Sequence, residues 1–80
     1  MATTLNTLKA GDAGTITALS GDGPVSQRLA EMGMVVGARC EVVRFAPLGD
    51  PIEVTLDGYH LSLRKAEAAL VQVEVCPNIA

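Results

Sequence analysis

The stretch Ile52-Glu53-Val54-Thr55-Leu56-Asp57-Gly58-Tyr59-His60-Leu61-Ser62-Leu63 decides the fold of this chain. Ile52, Val54 and Leu56 alternate with Glu53 and Thr55, and Tyr59, Leu61 and Leu63 alternate with His60 and Ser62. Alternation of period two marks strands with one apolar face. Asp57-Gly58 between the two runs predicts a tight hairpin, because both central residues of a type I′ turn need positive φ. A two-residue loop then sets the register: Leu56 opposite Tyr59, Val54 opposite Leu61, Ile52 opposite Leu63. All six apolar side chains fall on one face, and Thr55/His60 and Glu53/Ser62 on the other. Such a ribbon is not stable alone in water, so the rest of the chain must cover its apolar side.

Working outward, Arg64 to Ala69 carries enough Ala, Glu and Lys for one helical turn. Leu70 to Val75 reads as a closing strand, Val71, Val73 and Val75 inward, with Cys76 to Ala80 a tail and Pro77 ending the pairing. Upstream, Ala46-Pro47-Leu48-Gly49-Asp50-Pro51 is a loop by composition. Ala38 to Phe45 is a strand with Cys40 and Val42 inward, and its alternation slips at Val43-Arg44-Phe45, which predicts a bulge. Pro24 suits the first position of a helix, and Gly33 supplies its stop. Val25, Leu29 and Met32 form that helix's apolar stripe, with Arg28 and Glu31 beside it. Gly14 to Ser20, rich in β-branched residues, is the first strand, broken by Gly21-Asp22-Gly23, and Leu5 and Leu8 plug one end of the core. The expected architecture is mainly β. It is a small five-stranded SH3-like barrel over residues 1–80, with a short helix between strands one and two and a helical turn before strand five. An open meander covered by the helix is the structural alternative.

Eighty residues make one domain, and an apolar fraction of 49% is enough for a compact core. That core must be aliphatic, since Phe45 and Tyr59 are the only aromatics. Six basic against nine acidic residues give a net charge of −3, a sign that offers no field for nucleic acid or anionic lipid. No run is long and apolar enough for a membrane span. Met-Ala-Thr-Thr-Leu-Asn at the start lacks the features of a signal peptide, so a cytoplasmic location is expected. Cys40 and Cys76 are then two unbridged thiols. High mean hydropathy in so small a chain makes a homo-oligomer an open expectation.

Candidate chemistry is sparse. His60 is the sole histidine. Glu53 lies diagonally from it on the outer face, and this pair is the only candidate for metal ligation. The ordinary reading, an exposed imidazole beside an unrelated carboxylate, is preferred. No spacing pairs two carboxylates for acid–base work, and no motif surrounds Ser20, Ser26 or Ser62 to activate a hydroxyl. Gly21-Asp22-Gly23-Pro24 lacks the Lys-Ser/Thr ending of a phosphate loop. Grooves for proline-rich peptides need several aromatics, and with Tyr59 turned inward only Phe45 is left. The residues therefore point away from an enzyme.

Three segments together carry a resemblance. Arg28-Leu29-Ala30-Glu31-Met32-Gly33-Met34 leads to Gly37; Ala46-Pro47-Leu48-Gly49-Asp50-Pro51 follows; Leu61-Ser62-Leu63-Arg64-Lys65-Ala66-Glu67-Ala68 comes last. In this order and spacing the chain resembles the FeoA family over nearly its whole length. Val36 stands where that family often has proline, and Ala38 where Thr or Ser is common. The resemblance implies a small cytoplasmic, non-catalytic accessory of bacterial ferrous iron uptake, concerned with iron homeostasis, that docks on the cytoplasmic GTP-binding part of the FeoB membrane transporter. Candidate partner contacts are Arg28, Glu31, Met34, Val35, Leu48, Asp50 and Arg64. No cofactor is required on this reading. The alternatives are a carrier handing Fe²⁺ or another divalent metal to the transporter, through Glu53 and His60, and a stand-alone module related to metal-dependent repressors.

Overall fold

The computed structural model describes residues 2–21 and 23–76. Its six strands are β1 (Ala2–Thr4), β2 (Ala13–Leu19), β3 (Arg39–Phe45), β4 (Ile52–Leu56), β5 (Tyr59–Leu63) and β6 (Val71–Val75). Helix α1 (Pro24–Glu31) lies between β2 and β3, and α2 (Lys65–Ala68) between β5 and β6. The strands form one antiparallel sheet in the order β1-β6-β2-β3-β4-β5. The architecture is mainly β, as expected, with one strand more than the five read from sequence. Strand pairing leaves β1 and β5 as edges and does not close the sheet into a ring. Pro77 and the rest of the tail lie outside the described residues, as does Asp22.

The hairpin takes the expected register, with Leu56 opposite Tyr59, Val54 opposite Leu61 and Ile52 opposite Leu63. Asp57 at φ 48° and Gly58 at φ 92° supply the two positive angles of its turn. Ile52, Val54, Leu56 and Leu63 are buried and Leu61 half-buried. Tyr59 departs from the expectation: it shares their face yet is 70% exposed. It lies on the edge strand, while its partner Leu56 on β4 is 2% exposed beneath Gly33. Phe45 and Tyr59 also sit at opposite ends of β4, about 13 Å apart at strand rise, so they form no shared aromatic groove.

Strand β3 carries the expected bulge, between Val42 and Arg44, and Cys40 and Val42 point inward. Leu5, Leu8, Ile16, Val71 and Val73 complete the aliphatic core with the buried hairpin residues. Helix α1 meets that core differently from its expected stripe. Leu29 is fully buried, but Val25 and Met32 are more than a third exposed, and Ser26 is buried in their place. The Ser26 hydroxyl donates to the Ser20 carbonyl at 2.7 Å, which satisfies it at the point where the chain enters the helix.

The helix ends at Gly33, whose φ of 103° suits only glycine. Gly33 N–H donates to the Ala30 carbonyl and Met34 N–H to the Leu29 carbonyl, both at 3.0 Å, a Schellman cap. That cap turns Met34 back toward Leu29 and into the core, where it is fully buried.

Candidate functional site

Three separate segments meet at the foot of β5. The loop before β4 closes on itself: Gly49 N–H donates to the Ala46 carbonyl at 2.7 Å, and Ala46 N–H to the Pro51 carbonyl at 3.0 Å. Pro47 and Leu48 form the tip of the turn, a position proline's fixed φ favours, and Leu48 stands 96% exposed. Asp50 then accepts a hydrogen bond from the Lys65 N–H at 2.9 Å, tying the loop to the start of α2. Glu67 occupies the third position of α2 and reaches back to accept from the Arg64 N–H at 2.8 Å, one arm of a capping box. Its other carboxylate oxygen is ion-paired with Arg28 of α1.

These contacts surround an open depression of about 370 Å³ lined by Arg28, Asp50, Pro51, Ser62, Arg64 and Glu67. The Arg64 N–H bond holds the Glu67 carboxyl below its usual range; partial burial opposes this, and Arg28 adds to the lowering. Arg28, Asp50 and Arg64 from the sequence reading are thus brought together, with Leu48 on the loop beside them. Glu31 and Val35 are exposed near the end of α1. Met34 cannot be a partner contact, because the helix cap buries it. Glu67, which organises the site, was not among the candidates. Its partner Arg28 lies 39 residues away, and only the Arg64-to-Glu67 spacing hints at its capping role.

Glu53 and His60 line a smaller depression of about 130 Å³. Glu53 Oε2 accepts from Arg44 Nε at 2.6 Å, so this carboxylate already has a cationic partner. Among the described residues, no group of three or more His, Cys, Asp or Glu side chains converges on one point. Both cysteines are free, and burial pushes the Cys40 thiol up to about 11. Ser62 lines both depressions and shares the smaller one with His60, and among the described residues no hydrogen bond joins its hydroxyl to the imidazole.

The profile described as FeoA domain matches residues 3–75. The chain belongs to the FeoA domain family. A fusion of Fe(2+) transport protein A with the Fe(2+) transporter FeoB, from Porphyromonas gingivalis, is 39% identical over 76 residues. That match takes in 95% of this chain and 9% of the fusion protein. The solution structure of a FeoA-like protein from Clostridium acetobutylicum superposes with a TM-score of 0.91 at 33% identity, over 99% of this chain and 92% of that one. Stenotrophomonas maltophilia FeoA complexed with zinc, described as a prokaryotic SH3 domain protein, gives a TM-score of 0.78 at 27% identity, over 89% and 88% of the two chains. The fold of this FeoA domain is accordingly SH3-like. Among its described residues, no helix is long and apolar enough to cross a membrane.

Proposed function

We propose that this FeoA domain is a non-catalytic cytoplasmic accessory of ferrous iron uptake that docks on the GTP-binding part of a FeoB-type transporter. The observation that carries the reading is the Porphyromonas gingivalis relative, in which a FeoA protein and a FeoB transporter share one chain. Fusion of two proteins supplies a high effective concentration for a contact too weak to persist between separate molecules. The surface around Arg28, Asp50 and Arg64, with Leu48 projecting beside it, supports docking better than chemistry. It offers fixed charges and one exposed apolar side chain without converging reactive groups. Leu48→Asp and Arg28→Glu are expected to leave folding intact and to weaken binding to the isolated GTP-binding domain of FeoB. For Leu48 the loss is about 10- to 100-fold, from the roughly 1.5–3 kcal/mol of burying a leucine side chain. Calorimetric titration reads the affinity, and unchanged values for both variants would remove this surface.

The zinc complex of the Stenotrophomonas maltophilia relative favours a second reading, a carrier that passes Fe²⁺ to the transporter. Equilibrium dialysis of wild type and His60→Ala against Fe²⁺ or Zn²⁺ separates the two. Stoichiometric uptake lost in the variant supports the carrier, and no uptake supports docking alone.

A further inference from the structure

The strand order leaves two edges, and they differ in kind. β1 is three residues long, whereas β5 is five. Edge strands are ordinarily guarded by proline, by charged side chains or by a bulge. Tyr59-His60-Leu61-Ser62-Leu63 contains no proline and no Lys, Arg, Asp or Glu, and its five pairs with β4 run without a register shift. In a hairpin with a two-residue turn the closing pair is hydrogen-bonded, so Tyr59, Leu61 and Leu63 spend their backbone groups on β4. Those of His60 and Ser62 point away from it. Among the described residues no strand lies beyond β5, and no turn or loop backbone bond reaches His60 or Ser62.

We propose that β5 is a self-association edge, where two copies of the chain join antiparallel about a two-fold axis through Leu61. In that register each His60 faces the other copy's Ser62, and their backbone groups close four ladder hydrogen bonds. Leu61 faces Leu61. A shift by one residue sets outward backbone groups against inward ones. A shift by two places His60 against His60 or Ser62 against Ser62 and leaves two ladder bonds within the strand in place of four. With no charged side chain on β5 to repel its own copy, and a pairing symmetric about Leu61, the occupant is a second copy of this chain.

An interface of five-residue strands is smaller than the roughly 1,200 Å² of stable complexes, so the dimer is concentration-dependent, with a dissociation constant on the order of 10–1,000 µM. Sedimentation velocity from about 10 µM to about 1 mM spans that range. Amide hydrogen exchange followed residue by residue over the same range locates the contact. The mean mass is expected to rise toward twice that of one chain while the amides of His60 and Ser62, and not that of Leu61, slow with concentration. Ser62→Pro removes the N–H behind two of the four bonds and is expected to weaken association about 10-fold or more. Where that variant loses its native far-UV signature, the wild-type exchange pattern decides. A mass constant at one chain up to about 1 mM, or a rising mass with the His60 and Ser62 amides unslowed, overturns the proposal.

Discussion

Glu67→Gln separates the charge at the head of α2 from its shape. The amide can still accept from the Arg64 N–H, so what is lost is ionic character in that bond and the attraction to Arg28. A hydrogen bond to a charged group contributes about 1.5–3 kcal/mol and a neutral one about 0.5–1.5, a difference near 1 kcal/mol. Arg28 is 62% exposed, so its half of the ion pair is screened and adds at most about 0.5 kcal/mol. The sum, about 1–1.5 kcal/mol, lowers the melting temperature by roughly 4–10 °C in a chain of this size. The pH dependence has a definite sign. The folded carboxyl titrates below its ordinary value of 4.5, so between the two pKa values the unfolded chain holds more protons. Its contribution is therefore complete above pH 4.5 and disappears as pH falls through the lower, folded value. Thermal melts by circular dichroism should show wild type ahead of the variant at neutral pH, with the gap closing in acid. The Arg28 share should shrink in about 0.5 M salt, where the Debye length falls to a few Å. Identical melting at neutral pH, or a gap that persists unchanged into acid, would refute this account of Glu67.

Other expectations concern the core. In Gly14→Ala the new methyl would meet the Glu74 carbonyl oxygen at 3.0 Å and Val73 Cβ at 3.1 Å. The crowding costs about 1–3 kcal/mol, more than the roughly 0.4–1 kcal/mol gained by stiffening the unfolded chain, and urea denaturation reads the net loss. A variant as stable as wild type would mean that β2 and β6 can part. Leu29→Ala should cost about 2–5 kcal/mol by the same measurement, because Leu29 is the residue through which α1 enters the core. Cys40, with its thiol pushed up to about 11, should resist alkylation in the native protein at mildly alkaline pH and react only on unfolding. Above its ordinary value of 9.0 the unfolded thiol ionises first, so the share of stability tied to Cys40 declines as pH rises.

What could be read from the chain depended on how local the determining contact is. The hairpin was legible down to its register because Asp57-Gly58 and two alternating runs carry all the information within twelve consecutive positions. The β3 bulge was legible for the same reason. Strand β1 was not: Ala2-Thr3-Thr4 has no apolar alternation, and it is a strand because β6 offers it a backbone edge. The orientation of α1 was misread because helical spacing ranks Val25 and Met32 with Leu29, while the Ser26–Ser20 hydrogen bond and the short reach of the helix bury a different face. Met34 looked like a surface residue following a stop signal; the Gly33 cap sends it inward. Of the candidate site, Leu48 and Asp50 could be placed from their loop. The meeting of Arg28 with Glu67 is a product of tertiary packing that no local pattern encodes.

The ring of backbone bonds that closes Ala46–Pro51 on itself bears on how Leu48 would be used. A floppy loop must surrender conformational freedom when a receptor grips it, and that loss is subtracted from whatever the contact yields. Here the backbone share of that freedom is already gone before any encounter, so more of the gain from desolvating the leucine would reach the measured affinity. The same stiffness makes the isolated molecule carry a permanently bared greasy knob.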